Sequence, residues 1–149
     1  MKDAPDTPGE LRARALRLLA RREHSRAELG RKLASRAASP EALQSLLDSL
    51  EQKQQLSNAR FASERARVLS RKFGAARIRL DLKSKGVGEE IIDSVALEGE
   101  AGRAAAILAR KYRDPAATRE EIARRMRFLQ QRGFSHDTIR KLLSSEDAD

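Results

Sequence analysis

The sequence predicts an all-α fold: three tandem three-helix repeats forming an elongated, solenoid-like array. Apolar residues recur at helical spacing almost throughout, without the sustained alternation that a half-buried strand shows. The chain also aligns with itself three times, which is the mark of a repeat protein. With four Phe, one Tyr and no Trp, its core must be built mainly from Leu, Ile, Val and Ala.

The internal alignment sets a register. At an offset of 47, Leu82 falls on Leu129, Lys85 on Arg132, Gly86 on Gly133 and Ile92 on Ile139. At an offset of 49, Leu29 falls on Ile78, Leu33 on Leu82, Arg36 on Lys85 and Leu43 on Ile92. The copies span 10–56, 57–99 and 100–145, with a disordered N-terminus at 1–9 and a fraying tail at 146–149. One copy has too few apolar positions to hold together alone, so stacking must bury what each leaves exposed.

The first helix, 10–22, carries Leu11, Ala15, Leu18 and Leu19 on one stripe. The second, 25–36, opens on a capping-box pattern, SRAE at 25–28. The third, 40–53, has Ser39 as N-cap and Pro40 preset for a first turn. The fourth, 58–73, carries Phe61, Ala62, Ala66, Leu69 and Phe73 on its apolar stripe, and Phe61 reads as a core anchor rather than a stacking platform for bases. The fifth, 75–85, stops at Gly86, which supplies a left-handed residue while Val87 packs back on the last turn. Gly88 precedes the sixth helix, 89–98, and 100–112 forms the seventh. The eighth, 118–132, opens on TREE at 118–121 and stops at Gly133; Ser135 precedes the ninth, 136–145. Position 37 is Ala in the first copy, so that stop must be built differently.

The formal net charge is +9, which favours polyanionic partners such as nucleic acid or a nucleoprotein filament. The charge follows the repeats. Residues 57–85 hold nine Lys/Arg against two Asp/Glu, whereas 86–102 hold five Asp/Glu and no Lys/Arg. Residues 103–132 return to nine against three. First and second helices are therefore basic and third helices neutral or acidic, so stacked copies would segregate charge onto different sides.

Catalytic chemistry is not legible. There is no cysteine, which excludes disulfides and thiol catalysis, and no phosphate-binding Gly-rich loop, since Gly74 stands alone. His24 and His136 are far apart and read as surface residues at helix boundaries; Glu28 and Glu121 have structural work as caps. No catalytic, cofactor or metal site is expected. No apolar run suggests a signal peptide, an anchor or a membrane span, and the expected location is cytoplasmic.

Three stretches resemble a known family. ALRLLARREHSRAELGRKL is similar to the N-terminal part of the RecX regulatory proteins. SNARFASERARVLSRKFGAARIRLDLKSKGV resembles the family's central segment, where an Arg-Phe pair opens a long helix and a Gly-x-x-Arg-Ile element leads to a Lys-Gly stop. FLQQRGFSHDTI continues the likeness, which covers about 11–143. The family commonly has acidic residues before the Arg-Phe pair, where this chain has Ser57 and Asn58, and Leu80 occupies a position often polar there. The resemblance implies a monomeric, non-enzymatic modulator of the recombinase RecA. Such proteins lie in the groove of the RecA–DNA filament and restrain its growth, ATP hydrolysis and strand exchange.

On that reading Arg60, Arg65, Arg71, Lys72, Arg77 and Lys85 supply the polyanion contact, with Arg124, Arg125 and Arg127 adding to it. Arg36, Lys85 and Arg132 share one repeat position, where a cation also suits a helix C-terminus. Two rivals stay open. One is a DNA-binding protein acting without RecA through a helix-turn-helix in one repeat, single- or double-stranded DNA being bound weakly and without sequence preference. The other is a scaffold whose charge serves solubility.

Overall fold

The computed structural model describes residues 4–95 and 97–144. Among them there are nine helices and no strand: α1 Pro8–Arg21, α2 Arg26–Leu33, α3 Pro40–Gln52, α4 Asn58–Leu69, α5 Ala75–Ser84, α6 Glu89–Ser94, α7 Glu100–Lys111, α8 Arg119–Gln131 and α9 His136–Ser144. Leu33, Leu82 and Leu129, the register-equivalent leucines, are all fully buried. Leu80 is 67% exposed. The expected tail at 146–149 lies outside the described residues, as do positions 1–3 of the expected N-terminal arm.

Several helices end earlier than their apolar pattern suggests. α4 stops at Leu69, where Lys72 N–H and Phe73 N–H both turn back to the Leu69 carbonyl. Phe73 therefore leaves the helix stripe and becomes a half-buried loop residue. α6 stops at Ser94, whose hydroxyl donates to the Ile91 carbonyl. α2 ends at Leu33, and without a glycine its stop is a turn in which Arg36 N–H and Ala37 N–H both reach the Leu33 carbonyl.

Over residues 7–9 the structure has the start of α1 where a disordered arm was expected. Thr7, Pro8 and Glu10 form a complete capping box: Glu10 N–H donates to Thr7 Oγ1 at 3.2 Å and Thr7 N–H to Glu10 Oε1 at 3.3 Å. The Pro-Gly composition suggested a loop, but Pro at the first helical position and a Thr three residues before a Glu make a helix start. By contrast, the pattern at 25–28 closes only in part: Ser25 Oγ accepts Glu28 N–H, while the Glu28 carboxylate is held by both Arg22 terminal nitrogens.

The structure packs into two compact units, Met1–Glu64 with Leu82–Ser94, and Arg65–Asp81 with Val95–Asp149. The dividing lines cut α4 and α5, so compact units and sequence repeats do not coincide.

In the first unit, Leu11, Leu29, Leu33, Leu43, Leu46, Leu47, Leu50 and Leu56 form one core among α1, α2 and α3. The second repeat joins it through a turn. Ser25 Oγ, fully buried, donates to the Lys85 carbonyl at 2.7 Å. Gly86 sits beside Ala27 with φ of +81°; a Cβ there would lie 2.6 Å from the Ala27 methyl.

The second unit repeats this junction. Gly74 N–H donates to the Arg132 carbonyl at 2.8 Å and Ala76 N–H to the Gly133 carbonyl at 3.2 Å. By the register above, Gly74 is the counterpart of Ser25, and Arg132 of Lys85. The first-copy counterpart, the Arg36 carbonyl, accepts instead from Asp6 N–H at 2.8 Å. In the third copy the donor position falls on Glu121, already inside α8, with its N–H taken by Thr118 Oγ1 at 3.2 Å. In the first and third copies these positions are thus satisfied from within the same neighbourhood of the chain. Ala104, Ile107, Leu108, Leu129, Phe134, Ile139 and Leu143 form the core of this unit.

Phe61 is buried in α4, as a core anchor should be. Phe61→Ala is expected to remove about 3–5 kcal/mol of stability by denaturant titration; an unchanged midpoint would disprove a packing role.

His24 is not the surface residue that its neighbours suggested: it is 1% exposed. Its Nδ1 lies 3.1 Å from the Arg22 carbonyl, and its Nε2 lies 2.9 Å from Lys32 Nζ. A carbonyl needs a donor and an ammonium needs an acceptor, so the ring is neutral with its proton on Nδ1. Burial pushes the imidazole below its ordinary pKa. The unfolded chain thus binds this proton at higher pH than the folded one, and stability falls as pH drops from about 6.5 through the lower folded value. A second loss follows in strong acid. Hydrogen bonds from Arg14 and then Arg36 hold Asp6 at about 2, and hydrogen bonds from Arg22 hold Glu28 at about 2. In melts from about pH 8 to pH 5, His24→Gln should lose less thermal stability than the unaltered protein. Equal losses would refute a neutral buried His24.

Candidate polyanion-binding surface

The nine cations singled out from sequence fall into three groups. Some are committed to internal work. Arg60 pairs with Glu23 at 2.9 Å and donates to the Gln54 carbonyl. Arg65 forms a two-pronged pair with Asp81, at 2.9 and 3.1 Å, tying α4 to α5. Arg125 is only 7% exposed; it donates to the Asp114 carbonyl at 2.6 Å and lies over the Tyr112 ring. Others lie apart: Lys85 is half-buried at the turn after α5, and Arg124 and Arg127 are exposed on α8. Arg124 lines a hollow that it shares with the carboxylate-bearing Glu121.

Of the remaining three, Arg71 and Lys72 converge with residues that composition did not single out as contacts. In the second unit a groove of about 440 Å³ is lined by Arg71, Lys72, Arg110, Lys111 and Arg132, with Ile107 and Phe128 as apolar walls. No carboxylate lines it. Among the described residues, none of these five cations makes an ion pair. Arg77 stands beside it over the Phe73 ring and donates to the Gln131 carbonyl at 3.1 Å.

Local structure explains the convergence. α4 ends at Leu69, so Arg71 and Lys72 ride the loop that leads to the Gly74–Arg132 junction. Arg110 and Lys111 are the last turn of α7, and Arg110 donates to the Arg71 carbonyl at 2.8 Å. Arg132 is the C-cap of α8, a position that favours a cation. Aromatic rings brace Lys111 and Arg132, together with the neighbouring Arg77 and Arg125, in a ladder. Phe73 carries Arg77 at 4.7 Å and Arg132 at 5.5 Å. Phe128 carries Lys111 at 4.8 Å and Arg132 at 5.1 Å. Tyr112 carries Arg125 at 4.6 Å and Lys111 at 6.0 Å, and meets Phe128 edge to face. Such contacts attract through the ring quadrupole and restrict otherwise floppy side chains. The basic and aromatic run RKYR at 110–113 was the sequence signal for the missing half of this site.

Chemically the groove can hold an anion; it offers no nucleophile–base pair. Among the described residues no cluster of His, Asp or Glu could hold a metal, and no helix is long and apolar enough to cross a membrane. The fold and the groove together define a basic three-helix-repeat protein. Three profiles of the RecX domains match it: the first three-helix domain at 12–50, the second at 57–95 and the third at 98–143. The chain is 46% identical over 140 residues to the Regulatory protein RecX of Herbaspirillum seropedicae, covering 92% of this chain and 91% of that one. It is 40% identical to that of Ralstonia nicotianae, covering 97% and 92%. In fold it is similar to the crystal structure of RecX from Lactobacillus salivarius, with a TM-score of 0.82 at 20% identity, covering 95% of this chain and 97% of that one. The chain therefore belongs to the RecX family, and these two relatives are named as regulatory proteins, not enzymes.

Proposed function

We propose that this protein binds the RecA–DNA filament in the cytoplasm and restrains RecA's ATP hydrolysis and strand exchange, acting by binding and not by catalysis. Within a chain of the RecX family, the observation that carries this reading is the groove whose five cations have no carboxylate partner among the described residues. A filament offers phosphates and acidic protein surface together, and linked contacts to several protomers would raise avidity without a new kind of interaction.

The test is RecA ATPase activity on single-stranded DNA with this protein titrated in. A fall in steady-state hydrolysis at substoichiometric protein is expected, and no change at a several-fold excess would sink the proposal. The same groove also suits bare DNA, so binding to filament and to bare strand should be compared at matched salt. Non-specific phosphate contact alone gives dissociation constants of roughly 10⁻⁴–10⁻⁶ M. The filament should be bound far more tightly; a preference for bare DNA would favour a DNA-binding protein that acts without RecA.

A further inference from the structure

We propose that the groove between α7, α8 and the α4–α5 loop is a clamp for a repeating phosphate chain that takes no account of the bases. The inference rests on the polyanion reading of that groove and specifies its ligand. Proteins that hold single strands usually combine a cationic track with aromatic faces on which bases stack. Here the aromatic residues stand beside the cations, but their rings are already engaged. Each of Phe73, Phe128 and Tyr112 carries two cations within about 6 Å of its centre. A base could stack only by displacing a guanidinium or ammonium that the phosphates need. No Asn or Gln lines the groove to read a base edge. Arg71, Lys72, Arg110 and Lys111 are exposed, while Arg132 is half-buried with its guanidinium near two rings. The rings therefore hold Lys111 and Arg132 in place beside the exposed cations, and the ligand the groove suits is a chain of regularly spaced monoanions.

Two sources supply such a chain: the backbone of a nucleic acid and a free inorganic polyphosphate. The full-length protein is titrated by fluorescence anisotropy with an oligothymidylate, with an abasic deoxyribose-phosphate strand of the same length, and with inorganic polyphosphate as competitor. The abasic strand is expected to bind within about twofold of oligothymidylate, with log K falling against log salt at a slope near −3.5 for about five phosphates on a single strand. Stacking would instead make oligothymidylate about tenfold tighter or more, and that result overturns the proposal. Arg71→Glu with Lys72→Glu and Arg110→Glu, exposed positions outside the ring contacts, should weaken both strands equally, by about 30-fold or more. Unchanged binding by a folded triple variant would overturn it too. Phe128→Leu should weaken both strands alike by loosening Lys111 and Arg132; loss confined to oligothymidylate would show a stacking platform. Displacement of both strands by polyphosphate at equal charge supports the clamp, and much tighter polyphosphate binding would assign it to the free polyanion. The ATPase assay uses no bare strand affinity, so the filament reading and the clamp can fail separately.

Discussion

Replacing Gly133 with alanine is expected to destabilise the protein by about 3 kcal/mol or more, because two penalties coincide. The residue has φ of +88°, which a Cβ opposes, and that Cβ would stand 2.4 Å from Arg77 Cβ and 2.6 Å from the Arg77 backbone nitrogen. Backbone cannot swing aside as a flexible side chain can, so the α8–α9 turn would have to part from the start of α5. Gly74→Ala should be nearly as harmful for a different reason: at ordinary φ its Cβ would meet the Gly133 carbonyl oxygen at 2.5 Å. Gly102, inside α7, is the control, because a Cβ added there would meet nothing within 4 Å. Gly102→Ala should stabilise by about 0.4–1 kcal/mol through reduced entropy of the unfolded chain. Urea titration of the three variants checks the ordering; a Gly133→Ala midpoint close to that of the unaltered protein would refute the junction as described.

The second large effect concerns charge. Arg71→Glu with Lys72→Glu should lower affinity for duplex DNA or filament by about 10- to 100-fold at physiological salt without moving the melting temperature. If about five cations meet phosphates on a duplex, log K falls with log salt at a slope near −4 to −5, and the double variant should flatten that slope by about 2. Arg65→Ala should behave oppositely. Its guanidinium is spent on Asp81, so the variant should lose up to about 1 kcal/mol of stability, as partly exposed pairs do, with binding little changed. If Arg65→Ala weakened binding as much as the charge reversal did, the division between structural and available cations would be wrong.

That division marks how far the sequence could be read. The periodic leucines were legible because burial on a helix face is a local rule: Leu33, Leu82 and Leu129 sit at one register position and are buried alike. The glycine stops were legible because only a residue without Cβ takes the left-handed turn comfortably, and Gly86 and Gly133 both have φ above +80°. The bond from Asp6 N–H to the Arg36 carbonyl beside the first-copy stop was not legible, because its donor lies thirty residues away in a stretch that looks like a loop. Nor was the packing of compact units across the repeat boundaries. A truncation at residue 100 would remove not one self-sufficient repeat but the partners of residues 65–81, since both belong to one unit.

By itself, then, the sequence determined an all-helical chain, its register, its glycine stops, its surplus of positive charge and its likeness to the RecX family. All but the last follow from spacing and composition, which neighbours along the chain settle among themselves; the likeness rests on three matching stretches of sequence. Only the tertiary structure decided which cations are available. Arg60, Arg65 and Arg125 look no different in sequence from Arg71 and Lys72, yet Glu23, Asp81 and the Asp114 carbonyl claim the first three. Arg110, Lys111 and Arg132 join the others because α7 and the end of α8 meet the α4–α5 loop. A charge's value to a partner depends on what lies within a few ångströms of it in space, and for these side chains those neighbours come from other elements and loops of the chain.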